Sequence, residues 1–254
     1  MSDSKTKSVP AIEKAMLIME ELAKSQSGLS LSELTRNLSL PKSSTFGLLL
    51  TLERLGYLHR NEATGRYMFG MKIFTLANRA MSGLNIRKIA SPHLKVLLRM
   101  CNLTVHLAMQ ERNEVVIIEK LESPYTPKVK TWVGMRMGIH CTAVGKAVMS
   151  DWEEEVVDRI LTYGLPRYNE NTIVSAKKLK DELRLVRTQG YALDDEEETI
   201  GSRCIGAPIT DQTGRVVAAI SVAGYKKQIT KETFSEMTDL VVKTADKISK
   251  DLSK

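Results

Sequence analysis

The sequence has few cysteines and no long apolar run. Its three cysteines, Cys101, Cys141 and Cys204, are widely separated and odd in number, which argues against a disulfide framework and favours a reducing environment. No stretch approaches the roughly 18 apolar residues that a membrane-spanning helix needs. The polar segment before Pro10 lacks the apolar centre of a secretory signal. These absences exclude a disulfide-stapled secreted domain and predict a cytoplasmic globular protein with no membrane partner.

Length and charge narrow the choice further. A chain of 254 residues holds one large domain or two ordinary ones. The net charge is +7, from 37 Lys and Arg against 30 Asp and Glu. This excess is compatible with a phosphate-binding face, but an excess of this size is also typical of an ordinary solvated surface.

The region from Leu29 to Gly70 carries the most informative pattern. Ser30 followed by Glu33 predicts a capping box at the start of a short helix that ends near Asn37. We expect a second helix to begin with Pro41 in its first helical position and to end at Gly56. The leucines expected to be buried are Leu31, Leu34 and Leu38 on the first helix and Leu48, Leu49, Leu52 and Leu55 on the second. Two short helices joined by a tight turn form a helix-turn-helix.

A basic hairpin follows the helix pair. Residues 57–60 and 66–69 are strand-like, and the polar turn 61–65 between them ends in glycine. Amphipathic helix pairs are common in helical proteins, but a basic hairpin directly after them favours a winged helix that binds double-stranded DNA. The side chains expected to contact DNA are Lys42, Ser43, Ser44, Thr45 and Phe46 in the major groove and Arg60 and Arg66 on phosphates.

Two more helices flank this unit. Val9, Ile12, Met16, Met19 and Ala23 recur at helical spacing and predict a helix over about 9–25 with its methionines in the core. Residues 71–83 predict a linker helix that is apolar over a wide arc. We expect this linker helix to make dimer contacts, and the alternative is ordinary packing against the wing.

The remainder of the chain alternates strands and helices. The predicted order is a helix over 85–100, strands over 104–110, 115–121 and 128–133, helices over 142–149, 153–161 and 175–189, strands over 203–209 and 215–223, and a closing helix over 230–252. Residues 134–138 are expected to be a loop, and Glu196, Glu197 and Glu198 a solvated acidic run. The segment Asp211–Gly214 is a strong hairpin turn. The fold class is therefore α+β.

The second region shows a pocket pattern but no catalytic one. Residues 138–146 superficially resemble a phosphate loop, but Ala147 stands where Ser or Thr is required. The cysteines lack paired metal-ligand spacing, so we expect no metal and no cofactor. Ala143, Val144 and Gly145 open a helix whose free N–H groups attract an anion. Cys204 and Ser221 lie on hairpin strands that could face one cavity, and Asp194 could accept a hydrogen bond from a ligand hydroxyl.

Nearly all of the chain resembles the IclR family of bacterial transcriptional regulators. The resemblance is carried by four ordered segments: residues 40–58, residues 65–70, residues 140–147 and residues 190–222, which include Gly190-Tyr191-Ala192-Leu193-Asp194-Asp195 and Gly201-Ser202-Arg203-Cys204-Ile205-Gly206. It implies a winged helix-turn-helix DNA-binding domain over 1–70, a linker helix over 71–84 and a GAF-like effector-binding domain over 85–254. Pocket residues carry over onto Ala143, Val144, Gly145, Asp194, Cys204 and Ser221.

The resemblance also implies a function. Family members are dimers or tetramers that bind palindromic operators of catabolic operons, mostly as repressors, under the control of small organic acids or aromatics. Two positions depart from the family pattern: Gly47 replaces an arginine of the second helix, and Ala223 replaces a hydroxyl residue of some acid-binding members. The resemblance as a whole leads us to expect a regulator rather than an enzyme. The alternatives are a cysteine-dependent enzyme with an appended winged helix and an adaptor whose winged helix binds protein.

Overall fold

The structure is a computed structural model that describes residues 8–124 and 129–254. The chain divides into two compact units, Met1–Gly83 and Leu84–Lys254. Each unit has its own buried apolar cluster, so each is described by itself. Within the described ranges, no helix is long and apolar enough to cross a membrane.

The first unit is a winged helix with one further helix at each end. Its elements are α1 (Pro10–Ala23), α2 (Leu31–Leu38), α3 (Lys42–Arg54), β1 (Leu58–Arg60), β2 (Tyr67–Phe69) and α4 (Met71–Ser82). The predicted capping box is present, because the Ser30 side chain accepts from the Glu33 N–H and the Glu33 carboxylate accepts from the Ser30 N–H. β1 and β2 pair antiparallel, as the hairpin prediction required.

Three local predictions in this unit were wrong. Pro41 is the N-cap of α3 rather than its first helical residue. Leu55, at the C-cap, is exposed because the helix has already passed the core there. The core of α1 is formed by Ile18 and Leu22, whereas Val9, Ile12 and Met16 are exposed. The apolar residues of α1 occupy more than one face, and only packing decides which face is buried.

Helix α4 buries none of its residues. Met71 and Phe74 are 75% and 63% exposed, and Leu76 is also exposed. The alternative that this helix packs against the wing as an ordinary core element is therefore wrong. Large apolar side chains on an exposed helix are candidates for contact with a partner.

The second unit is a curled antiparallel sheet between two layers of helices. Its elements are α5 (Asn85–Cys101), β3 (Thr104–Glu111), β4 (Glu114–Leu121), β5 (Arg136–Gly138), α6 (Ala143–Val148), α7 (Glu154–Leu161), α8 (Ala176–Gln189), β6 (Ala192–Asp195), β7 (Ser202–Thr210), β8 (Val216–Tyr225) and α9 (Lys231–Leu252). The strand order is β5-β4-β3-β8-β7-β6. Helices α5 and α9 cover one face of the sheet, and α6 and α8 pack into a separate cluster on the other. The predicted α+β class is confirmed.

The edge of the sheet differs from the prediction. The edge strand is β5, which was expected to be a loop, and residues 129–133 form no strand. Lys128, the predicted start of that strand, lies outside the described residues. Instead of a strand ladder, the Lys120 Nζ donates to the carbonyls of Val129 and Thr131 at 2.9 and 2.7 Å. Side-chain contacts of this kind leave no mark in a strand pattern.

Gly47 makes a testable prediction about stability. It lies inside α3, and a Cβ added there meets nothing within 4 Å. Gly47→Ala should therefore stabilise the first unit by about 0.5–1 kcal/mol, because alanine loses less backbone entropy in a helix. Calorimetric unfolding measures this change. Gly56→Ala is the matched control and should destabilise, since Gly56 has φ +80°. A less stable Gly47→Ala protein would contradict the assignment.

Candidate functional site

The first candidate site is the exposed surface of α3 and the wing. Lys42, Ser43, Ser44 and Phe46 are exposed at the start of α3. Arg60 is exposed at the end of β1, with its guanidinium 5.8 Å from the centre of the Tyr67 ring. The structure therefore brings five of the seven predicted DNA contacts to the surface; their contact with DNA stays a prediction.

The other two predicted contacts are engaged inside the unit. Thr45 is fully buried, and its hydroxyl donates to the Pro41 carbonyl at 2.9 Å. Arg66 donates through Nε to the Gly28 carbonyl at 3.1 Å and pairs through Nη2 with Glu33 at 3.0 Å. Arg66 takes this position because the bridge between Leu29 and Tyr67 brings β2 beside the start of α2. Thr45 is therefore shielded from the DNA that it was predicted to contact, whereas a contact between Arg66 and phosphate stays a prediction.

Glu33 shows how firmly that corner of the unit is held. Its pKa is lowered to about 2, first by the hydrogen bond from the Ser30 N–H, then by the Ser30 hydroxyl and by Arg66. One carboxylate therefore both caps α2 and holds the wing. Arg66 therefore helps to position the wing.

The second candidate site is a cavity of about 300 Å³ between the sheet and the start of α6. Its wall is mostly apolar and includes several polar side chains, which is the usual make-up of a small-molecule site. The lining includes Ala143, Val144, Asp194, Cys204 and Ser221, together with His106, Ile117, Lys130, Thr131, Met135, Met137, Thr142, Glu198, Ser202 and Ala223. The cavity thus brings together five of the six predicted effector residues; whether they touch a ligand stays a prediction.

The strand register explains why these residues meet. Cys204 pairs with both Asp194 and Ala223, and Ser221 pairs with His106. Directly paired residues share a face, and residues two apart on one strand do so as well. The side chains of Asp194, Cys204, Ala223, Ser221 and His106 therefore all belong to the sheet face that carries α6.

Gly145 does not line the cavity, contrary to the prediction. Its N–H donates to the Thr142 hydroxyl at 3.1 Å, and an added Cβ would lie 2.2 Å from the Ile139 carbonyl oxygen. Gly206 has a similar role on the sheet, where a Cβ would lie 2.7 Å from the Ala143 carbonyl oxygen. These two glycines let α6 pack closely on its neighbours, which is a structural role.

His106 is the main lining residue that the sequence analysis missed. It is 5% exposed, and burial lowers its pKa to about 4, so the imidazole is neutral near pH 7. Its Nε2 lies 2.8 Å from the Thr131 hydroxyl. A signal was available: His106 alternates with the buried Val105 and Leu107 on β3 and so belongs to the opposite face.

A buried ion cluster lies behind the part of the cavity wall that contains Asp194. Lys146 is fully buried, with its Nζ 2.5 Å from Glu197 and 2.9 Å from Glu182. Burial alone would lower the lysine pKa, but the two carboxylates outweigh it and raise the pKa. Glu197 is 7% exposed, so the prediction that residues 196–198 are all solvated was wrong.

The Glu197 backbone connects this cluster to the cavity wall. Its N–H donates to Asp194 at 2.9 Å, and its carbonyl accepts from the Thr172 hydroxyl at 2.7 Å. Asp194 is 3% exposed, and burial raises its pKa to about 7. Lys146 therefore acts on the position of Asp194 through Glu197.

The thiols lack the features of nucleophiles. Cys141 is fully buried, and burial raises its pKa above the ordinary thiol value. Burial also raises the pKa of Cys204, to which Asp194 adds. A reactive cysteine requires a lowered pKa and access to solvent. Among the described residues, no group of three or more His, Cys, Asp or Glu side chains could hold a metal.

The two sites together define a class of protein. A winged helix with an exposed second helix is a DNA-binding unit, and an enclosed cavity in a separate unit is a small-molecule site. Their combination in one chain is the architecture of a ligand-responsive transcriptional regulator.

Comparisons with known sequences specify the family. The family model for the IclR helix-turn-helix domain matches residues 11–62, and that for the bacterial transcriptional regulator IclR C-terminal domain matches residues 78–250. The HTH-type transcriptional repressor AllR of Escherichia coli strain K12 is 32% identical over 244 residues, which cover 96% of this chain and 90% of AllR.

Solved structures agree in fold. The Thermotoga maritima IclR structure has a TM-score of 0.81 and 30% identity, covering 96% of this chain and 99% of that one. An IclR homologue from Microbacterium hydrocarbonoxydans, complexed with 4-hydroxybenzoate, has a TM-score of 0.84 and 23% identity, with coverages of 95% and 98%. At that identity the second comparison shows the fold alone.

The chain belongs to the IclR family of bacterial transcriptional regulators, which bind operator DNA and small-molecule effectors. The resemblance drawn from the sequence is confirmed. The protein is a DNA-binding transcriptional regulator and not an enzyme, and the cysteine-dependent alternative is not supported.

The buried cluster predicts a large effect of Lys146→Met. This change leaves Glu197 buried without its cation and should lower the free energy of unfolding of the second unit by about 3–5 kcal/mol. Trp132 and Trp152 both lie in the second unit, so urea unfolding followed by tryptophan fluorescence reports on it. Lys177→Met, at an exposed position on α8, is the control. Unchanged stability of Lys146→Met would refute the role of the cluster.

Asp194 predicts a pH dependence. Between its ordinary pKa of 3.8 and about 7, the folded state holds a proton that the unfolded state has lost. The contribution of this group to stability is therefore complete at low pH and falls as pH rises through this window. Asp194→Asn still accepts from the Glu197 N–H but does not titrate.

The advantage of Asp194→Asn over the wild type should grow by roughly 2–4 kcal/mol between pH 4 and 7. Urea unfolding at several pH values measures it, with Asp181→Asn on the exposed side of α8 as the control. Parallel stability curves for Asp194→Asn and the wild type would exclude a raised pKa.

Proposed function

We propose that this chain is a dimeric repressor whose winged helix binds operator DNA and whose cavity binds the small molecule that releases it. The observation that supports this most directly is the pairing of an exposed, cation-flanked α3 with an enclosed cavity in a family of regulators. Repression is the stated activity of the similar AllR proteins. We place the DNA-binding domain at 1–70, the linker helix at 71–84 and the effector domain at 85–254.

DNA binding in this proposal uses the surface of α3 and the tip of the wing. Lys42 and Arg60 are exposed and supply the cations of this surface. Ser43, Ser44 and Phe46 then face base edges or sugars. Thr45 and Arg66 support these residues from inside the unit and are left out of the contact set.

Dimerisation in this proposal covers the apolar surface of α1 and α4 in the first unit. Val9, Ile12 and Met16 on α1 are exposed, as are Met71 and Phe74 on α4. A second copy is the occupant we propose, because a palindromic operator requires a two-fold arrangement of heads about 34 Å apart. Pairing of dimers into tetramers is an extension of the same proposal.

The effector in this proposal is a small organic acid that carries a hydroxyl group. Lys130 lies at the exposed rim of the cavity and is the cation that its carboxylate would meet. The hydroxyl end would meet the cluster that contains Asp194, Ser221 and the neutral His106. Ligand binding would then move the linker helix and change the spacing of the two DNA heads.

Lys42 and Arg66 give opposite predictions for the salt dependence of DNA binding. Lys42→Ala should weaken binding and lower the slope of log affinity against log salt by about one for each phosphate that Lys42 neutralises. Arg66→Gln should weaken binding without changing the slope, because its side chain holds the wing. Fluorescence anisotropy with a 30-base-pair duplex, between 50 and 200 mM salt, measures both.

Lys24→Ala removes the same charge from an exposed position on the C-cap of α1 and serves as the control. A reduced slope for Arg66→Gln would assign it to a phosphate and overturn its positioning role. An unchanged slope for Lys42→Ala would remove Lys42 from the DNA contacts.

A titration against DNA from immediately upstream of the gene for this chain tests the function as a whole. We expect binding that resists excess nonspecific DNA and weakens with salt. If that DNA fails, selection from random duplexes must yield an operator under the proposal. Failure of both would favour the adaptor alternative.

A further inference from the structure

The exposed face of α3 offers few groups that can read the hydrogen-bonding edges of bases. The hydroxyls of Ser44 and Thr45 both donate back to the Pro41 carbonyl, at 3.1 and 2.9 Å, and Thr51 donates to the Gly47 carbonyl. Between Lys42 and Leu52 the helix contains no Arg, Asn, Gln, Asp or Glu. These are the residue types that, together with lysine and the Ser and Thr hydroxyls, read guanine, adenine and cytosine in the major groove, which leaves Lys42 and Ser43 as the main polar groups of this face.

The centre of the same face is apolar. Phe46 is 42% exposed and Leu50 is 45% exposed, one helical turn further along. Beside them, a Cβ at Gly47 would meet nothing within 4 Å, so the backbone there is open to close approach. Two large apolar side chains next to an open backbone form a shallow surface that lies on the helix expected to enter the groove.

The major groove contains one apolar group that such a surface fits, the 5-methyl group of thymine. We propose that Phe46 and Leu50 select operator half-sites by contacting thymine methyl groups, with Gly47 allowing α3 to lie close to the bases. This inference rests on the proposed function, because it requires α3 to face DNA. The partner that we propose for this apolar face is DNA that contains thymine, and the experiment below also distinguishes a protein partner.

Thymine and deoxyuridine differ only by the methyl group, and both pair with adenine. A duplex is first selected from random DNA with the full-length protein, and each thymine of the half-sites is then replaced in turn by deoxyuridine. At one or more positions the wild-type Kd should rise about fourfold for each methyl group removed from beneath the protein, which is the ratio expected for one buried methylene-sized group.

The variant Phe46→Ala should bind the selected duplex and its deoxyuridine form with equal affinity at the position that Phe46 reads. Leu50→Ala gives the same comparison for the other side chain. Both positions are exposed, so the variants are expected to fold. Leu185→Ala, which removes an exposed leucine from α8, is the matched control and should keep the full discrimination.

Equal wild-type affinity for thymine and deoxyuridine duplexes at every position would overturn the inference while leaving DNA binding intact. Discrimination that survives in both Phe46→Ala and Leu50→Ala would also overturn it. Enrichment of no duplex over random DNA would overturn the inference together with the proposed function. In that last case the apolar face of α3 would belong to a protein interface.

Discussion

The buried ammonium group of Lys146 is the interaction on which the effector unit depends most. Removing a lysine from water costs several kcal/mol unless carboxylates replace the solvent, and Glu182 and Glu197 do so at 2.9 and 2.5 Å. This cluster joins α6, α8 and the segment after β6. Because the Glu197 N–H donates to Asp194, the ammonium group of Lys146 influences a side chain of the cavity wall without lining the cavity itself.

A second constraint is the close approach of α6 to the sheet. Gly145 and Gly206 both lie where a Cβ would overlap backbone atoms. With side chains at these positions, the start of α6 could not reach the face that carries Cys204 and Ser221. The cavity therefore combines a tightly packed support with an open, largely apolar interior. In the winged helix, the ion pair between Arg66 and Glu33 similarly holds the wing beside α2.

Features set by neighbouring residues could be predicted from the sequence. The Ser30 capping box, the turn at 211–214 and the ends of α8 at Ser175 and Gly190 all appear where their local signals placed them. The family resemblance brought Asp194, Cys204 and Ser221 into one proposed pocket. Features set by distant residues could not be predicted. Lys146 and Glu197 are 51 positions apart, and no local pattern distinguishes Glu197 from its solvated neighbours.

The prediction of the buried face of α1 was wrong for a related reason. Its apolar residues can form more than one stripe, and the stripe through Ile18 and Leu22 is buried because α2 and α3 pack there. The contacts of Arg66 within the unit were also missed. They arise because the bridge from Leu29 to Tyr67 places its guanidinium within reach of Gly28 and Glu33. In both cases the residue type could be read from the sequence, but its packing partner could not.

Under the proposed function, a molecule bound in the cavity of the second unit controls the DNA affinity of the first. The most direct test is a linkage measurement on the full chain. Small organic acids that carry a hydroxyl group, such as 4-hydroxybenzoate, are screened for those that raise the unfolding temperature of the wild type but not of Ala223→Leu, which fills the cavity. DNA affinity is then measured with and without each such compound. We expect at least a fivefold change in DNA Kd, and an equal reciprocal effect of DNA on the compound's affinity. A compound that occupies the cavity and leaves DNA affinity unchanged would contradict it.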